Sequence, residues 1–109
     1  MYQLNEEEIL LEYNSYIQNI GSGIKQVAEY FRTEQIDKAL KGILDFAEGM
    51  TWLNLSNEYL SARQKIAKKD FKGIEEFLEE INTGLKLKDY ILVADILEYE
   101  ILPYFERIQ

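Results

Sequence analysis

Apolar residues recur every three or four positions along most of the chain, which is the spacing of a buried face on an α-helix. The clearest series is Ile9, Tyr13, Tyr16, Ile20, Ile24, Val27 and Phe31. Similar series follow in three later segments. The pattern predicts an all-α fold without strands, with helices over about residues 6–31, 34–67, 70–85 and 89–107.

Polar residues mark the predicted helix boundaries. Asn5, Asp70 and Asp89 each precede a helical series and are typical N-cap residues. Pro103 has no amide proton and is expected to kink the last turn of the fourth helix. Because short links place neighbouring helices antiparallel, we predict one domain over residues 1–109, an up-down-up-down four-helix bundle.

Small residues recur every seven positions in the second predicted helix, at Gly42, Gly49 and Ser56. Folding the first two helices about Arg32 and Thr33 places Gly23 opposite Gly42. One interpretation is that these glycines let the two backbones approach closely. The other is that they are exposed positions that tolerate glycine.

The fourth predicted helix is apolar on more than one side. Val93, Leu97, Ile101 and Tyr104 share a face at about 100° per residue, and we assign that face to the core. The remaining apolar residues and their flanking acids are predicted to bind a partner: Leu92, Asp95, Ile96, Tyr99 and Glu100. Either the long second helix covers them or another chain does, and we favour a second copy in a two-fold homodimer.

Composition narrows the possible chemistry. The chain has 109 residues, no His, no Cys and a net charge of −8. The usual general base, thiol nucleophile and transition-metal ligands are therefore missing, and we expect no cofactor and no metal. The negative charge disfavours nucleic acid and anionic membranes as partners. With no export signal and no apolar run of about 18 residues, we expect a cytoplasmic protein without membrane insertion.

Two segments resemble an uncharacterised family of small acidic all-helical proteins from firmicute bacteria. They are Ala94-Asp-Ile-Leu-Glu-Tyr-Glu-Ile-Leu-Pro103 and Phe46-Ala-Glu-Gly-Met-Thr-Trp-Leu53. The family has no assigned activity. The resemblance therefore implies a helical fold and a bacterial source, and it transfers no catalytic residue.

The function we predict is non-enzymatic protein–protein interaction, as an adaptor, an export chaperone or an accessory subunit. Its mechanism is the docking of an apolar stripe of the last helix on a partner helix or a second copy. The alternative is a small-ligand site or a carboxylate-based enzyme in the bundle core, with a carboxylate or Arg63 at a buried pocket. For Asp95 and Glu98, three residues apart on one helix face, we expect a polar strip rather than catalysis. The strip either accepts bonds from Tyr hydroxyls or pairs with a Lys or Arg.

Overall fold

The computed structural model describes residues 5–108, and within that range every regular element is helical. Helix α1 spans Glu6–Arg32, α2 spans Ile36–Ala62 and α3 spans Lys72–Lys86. Helix α4 covers residues 90–108 and has three parts. They are an α-helical segment Tyr90–Ile96, a π-helical turn Leu97–Ile101 and a final α-helical segment Leu102–Ile108. The prediction of an all-α protein with four helices is confirmed.

Side-chain caps fix two of the helix starts where the sequence predicts them. The Asn5 side-chain oxygen accepts the Glu8 amide at 2.8 Å, and the Asp89 carboxylate accepts the Leu92 amide at 3.1 Å. These bonds satisfy amides that have no partner within the helix. The N-cap position of α3 is Phe71, so Asp70 lies one residue before the cap rather than at it. Its carboxylate accepts the amide of Lys72, the first residue of α3, at 2.9 Å.

The first three helices end in the same way, with a non-glycine residue in the left-handed conformation. These residues are Glu34, Gln64 and Lys88, with φ of 61°, 59° and 55°. The next residue donates its amide to the carbonyl five residues back: Gln35 to Tyr30, Lys65 to Leu60 and Asp89 to Gly84. This is the hydrogen bond of a Schellman C-cap. It stops α2 at Ala62, so the predicted extension to residue 67 is wrong.

A buried asparagine holds the link between α2 and α3 against the helices. The Asn57 side-chain amide donates to the Lys69 carbonyl at 2.9 Å, and its oxygen accepts the Lys69 amide at 3.1 Å. The same oxygen accepts the Tyr13 hydroxyl at 3.4 Å. Because buried polar groups need partners, this side chain fixes where the link returns to the bundle.

Helix α1 packs against α2 on one side and α4 on another, and α3 packs against α4. Val27 faces Gly42 while Tyr16 faces Gly49, so α1 and α2 run antiparallel. Arg32 likewise contacts Asp95, near the start of α4, as expected for antiparallel α1 and α4. The up-down-up-down order of all four helices remains a prediction.

The core lies between these helices and is mostly aliphatic and aromatic. The main apolar stripes of the four helices predict six core residues: Tyr13, Ile20, Ile43, Phe77, Leu97 and Ile101. Four of them are buried: Tyr13, Ile20, Leu97 and Ile101. Ile43 and Phe77 are half-buried at its border. The main apolar stripe of each helix therefore predicts the residues at the centre of the core well and those at its border less well.

The glycines of α1 and α2 do not face one another as expected. A Cβ atom on Gly42 would lie 2.5 Å from Cγ2 of Val27, and one on Gly49 would overlap the Tyr16 hydroxyl. A Cβ atom on Gly23 would meet nothing within 4 Å. The close approach of the two helices therefore pairs each α2 glycine with a large α1 side chain, and the predicted Gly23–Gly42 pairing is wrong.

The irregularity near Pro103 lies earlier in α4 than the last turn. The Leu102 amide donates to the Leu97 carbonyl, five residues back, which forms the π turn Leu97–Ile101. Pro103 has no amide to continue the regular ladder, and its ring would crowd the carbonyl of Tyr99 in a regular α-helix. The wider turn accommodates the proline, and the helix continues to Ile108.

Candidate functional site

Two acids on α4 bind one arginine from the last turn of α1. Arg32 Nη2 lies 2.8 Å from an Asp95 carboxylate oxygen, and Arg32 Nε lies 3.1 Å from a Glu98 carboxylate oxygen. The hydrogen bonds to Asp95 and then to Glu98 raise the pKa of the guanidinium above its usual value. Of the two roles expected for Asp95 and Glu98, the structure shows the pairing with an arginine. The acids join α1 to α4, and half of the Asp95 side chain stays exposed.

Ile96 belongs to the core of the single chain, with 4% of its surface exposed. The expectation that Ile96 faces away from its own chain is therefore wrong. Helix α3 approaches α4 closely at Val93, about one turn before Ile96, since a Cβ atom on Gly84 would lie 2.8 Å from Cγ2 of Val93. With α1 on one side and α3 on another, α4 buries more than one stripe. The long α2, which we expected to be the alternative cover, packs its backbone mainly against α1.

The other predicted apolar residues of α4 remain at the surface. Leu92 is 40% exposed and Tyr99 is 70% exposed, and Ile91 at 54% and Leu87 at 70% adjoin them along the chain. We call these four residues, Leu87, Ile91, Leu92 and Tyr99, the α4 ridge. Ile91 and Tyr99 lie eight residues apart and share one helix face with Asp95 between them. Half of the eight exposed large apolar residues of the described chain thus lie within residues 87–99.

Glu100, the second acid predicted beside the stripe, faces an acid of α3. Partial burial and the neighbouring Glu80 carboxylate both raise the pKa of Glu100 above its usual value. Among residues 5–108, neither Glu80 nor Glu100 belongs to an ion pair. The edge of the α4 ridge therefore carries two carboxylates without a cation between them.

A concave opening lies between α1 and α2 and reaches Leu97 of α4. Its volume is about 330 Å³, and its apolar lining includes Ile20, Ile24 and Phe46. Gly23 and Gly42 form part of its walls, and the exposed Asn19 and Asp45 flank its mouth. Arg63, considered for a buried site, instead stacks on Tyr59 at 3.7 Å and pairs with Glu6 at 3.2 Å.

The described residues contain no group of three or more acidic side chains that would hold a metal ion. No helix within residues 5–108 is long and apolar enough to cross a bilayer. The cytoplasmic location and the absence of a cofactor stay predictions.

Two residues hold contacts whose partners the sequence pattern does not indicate. Arg32 determines what Asp95 and Glu98 do, and its only sequence signal is a basic residue in the last turn of α1. Asn57 fixes the α2–α3 link, and its signal is a polar residue between Leu53 and Leu60 on the buried side of α2. Neither signal names its partner, since each contact joins residues far apart in sequence.

These features define a small four-helix protein with an apolar ridge on its last helix. The chain matches the family described as Domain of unknown function (DUF8042) over residues 8–109. It belongs to that family, in agreement with a resemblance to proteins that have no assigned activity. No curated protein is significantly similar to this chain, and neither is any solved structure.

Proposed function

We propose that this protein is a non-enzymatic protein-interaction module and that a second copy of the chain binds the α4 ridge. The observation that supports the proposal is the concentration of exposed Leu87, Ile91, Leu92 and Tyr99 within residues 87–99. Large apolar side chains gathered in this way are a common mark of a contact surface. Ile96 is left out because its own chain covers it.

The charges at the two ends of the ridge favour a second copy as the partner. Lys86 and Lys88 at its start are exposed, and neither belongs to an ion pair within residues 5–108. Glu80 and Glu100 lie at its other end. In a two-fold dimer whose axis is perpendicular to α4, the two α4 helices run antiparallel, and the lysines of one copy then meet the acids of the other.

The up-down-up-down order forms part of the same proposal. Antiparallel contacts between α1 and α2 and between α1 and α4 support it, and α3 then returns beside α4 through a three-residue link. In that arrangement the α4 ridge lies on the outside of the bundle. An exposed helical surface of this kind suits an adaptor, an export chaperone or an accessory subunit, and a dimer is compatible with each role.

Sedimentation equilibrium of the purified chain and two variants tests the dimer. We expect the unaltered chain to dimerise and Ile91→Glu to be a folded monomer, because a charge at the centre of an apolar contact is desolvated without a partner. Leu44→Glu is the matched control, since Leu44 is similarly exposed but lies on α2. It should stay dimeric. A monomeric unaltered chain, or equal loss of dimer in both variants, would rule out the α4 ridge as a self-association surface.

A further inference from the structure

Gly23 has no role in the packing of the fold. It lies in the interior of α1, it is exposed, and a Cβ atom there would meet nothing within 4 Å. Its backbone does not require glycine either, because no described glycine has a positive φ. A glycine inside a helix costs about 1 kcal/mol relative to alanine. What its missing side chain does provide is open space at the surface.

That open space is the mouth of the concavity between α1 and α2. The contacts of Val27 with Gly42 and of Tyr16 with Gly49 hold the two helices together on either side of it. The glycines are seven residues apart, so these contacts stand about 10 Å apart along α2. Between them an opening of 330 Å³ reaches Leu97 of α4. Its position between two tight contacts makes it a preformed feature of the α1–α2 pair.

The lining and the mouth differ in chemistry. Ile20, Ile24 and Phe46 line the opening with apolar surface, while the exposed Asp45 supplies one carboxylate at the mouth. The nearest cation is Lys41, one helical turn away, at 3.7 Å from Asp45. Both side chains are largely exposed, and such a pair contributes little. A ligand cation would therefore displace Lys41 easily.

We propose that this opening binds a small organic cation whose apolar body enters between α1 and α2 and whose ammonium group lies at Asp45. The volume is at the lower end of the range of ligand pockets, which suits a body about the size of a phenyl ring. The net charge of −8 raises the local concentration of cations over anions. The site lies apart from the α4 ridge and extends the function beyond self-association.

The test is a titration with 2-phenylethylammonium, followed by two-dimensional amide NMR of the full chain. The six glycines give well-separated amide signals, and Gly23 and Gly42 line the opening. We expect the signals of these two to shift with saturation. Gly73 and Gly84, which lie on α3, should stay unchanged. The uncharged 2-phenylethanol is the comparison probe, and it should bind more weakly.

Two variants connect the binding to the proposed contacts. Gly23→Leu places a side chain across the mouth and should weaken binding by about tenfold or more. Ser22→Leu is its matched control on the neighbouring exposed position and should leave binding unchanged. Asp45→Asn should weaken binding of the cation by about two- to fivefold and leave 2-phenylethanol unaffected.

Three results would overturn the proposal. The first is an absence of shifts at Gly23 and Gly42 up to the solubility limit of the probe. The second is equal loss of binding in Gly23→Leu and Ser22→Leu. The third is equal affinity for the charged and uncharged probes together with an unaffected Asp45→Asn, which would reject a cation as the ligand class. Because sedimentation measures the α4 ridge separately, failure here leaves the dimer proposal intact.

Discussion

Gly42 of α2 lies directly against Val27 of α1, so that a Cβ atom at position 42 would stand 2.5 Å from Val27 Cγ2. Valine is stiff about χ1 and cannot move aside without disturbing α1. We therefore expect Gly42→Ala to lower the free energy of unfolding by about 1–3 kcal/mol. Gly23→Ala, in open space, should raise it by about 1 kcal/mol through helix propensity. Urea denaturation measures both, and changes of equal sign would contradict this account.

Ile96 and Ile91 provide a matched test of which residues of α4 the chain itself buries. Ile96 is 4% exposed and Ile91 is 54% exposed. Ile96→Glu buries a carboxylate without a partner and should cost several kcal/mol, enough to unfold a domain of this size. Ile91→Glu should melt close to the unaltered chain under conditions where both are monomeric. A cooperative, unshifted melting curve for Ile96→Glu in circular dichroism would place Ile96 at the surface.

Leu97 occupies the centre of the core, whereas Leu44 is 59% exposed on α2. Truncating Leu97 to alanine should cost about 2–5 kcal/mol, because the removed atoms leave both lost burial and a cavity. Leu44→Ala should change stability by less than about 0.5 kcal/mol. The comparison by chemical denaturation uses one substitution in two environments. Similar losses in the two variants would mean that α4 is packed otherwise.

The left-handed residue after α2 gives a prediction of stabilisation. Gln64 has φ 59°, a conformation that costs a residue with a side chain about 1–2 kcal/mol and glycine much less. Gln64→Gly should therefore raise the melting temperature. Gln18→Gly, in the exposed interior of α1, should lower stability by about 1 kcal/mol. Destabilisation by Gln64→Gly would show that α2 ends differently.

Stability should fall at alkaline pH because of two tyrosines. Burial raises the pKa of Tyr13 and of Tyr16 from 10 to about 12. Between these values the unfolded chain loses protons that the folded chain keeps, so rising pH favours unfolding. Each tyrosine contributes up to about 1.4 kcal/mol per pH unit in that window and nothing below it. Urea denaturation at several pH values between 10 and 12 gives the free energy of unfolding as a function of pH. This free energy should fall less steeply with pH in Tyr16→Phe, and an unchanged pH dependence would contradict the raised pKa of Tyr16.

Local chemistry explains which parts of the fold can be predicted from the sequence. Asn5 and Asp89 cap their helices through bonds to residues three positions away, so the nearby sequence contains the whole interaction. The end of α2 is different. It depends on Gln64 adopting a left-handed conformation and on Asn57 binding Lys69, and neither residue type marks a helix end by itself.

The predicted partner-binding residues of α4 also divide into those that local spacing places correctly and those that depend on contacts between helices. Tyr99 and Leu92 are exposed as the spacing on one helix indicates, but Ile96 is buried because both α1 and α3 pack against α4. The close approach at Gly84 that brings α3 there is a contact between helices. A helical wheel describes one helix and contains no information about how many neighbours it has. For the same reason, the spacing of apolar residues along one helix cannot predict whether a second chain covers the α4 ridge.

The arrangement of α2 has a consequence for how the native protein opens. Its backbone packs extensively against α1 alone, and side chains such as Phe46, in edge contact with Phe105, and Asn57 join it to the rest. Helix α4 instead lies between α1 and α3. Fewer contacts must break for α2 to separate, so we expect its amides to exchange with deuterium through a sub-global opening that leaves α4 protected. The buried residues of α2 span more of the sequence than those of α1, from Ala39 to Leu60, yet α2 would exchange faster than α4.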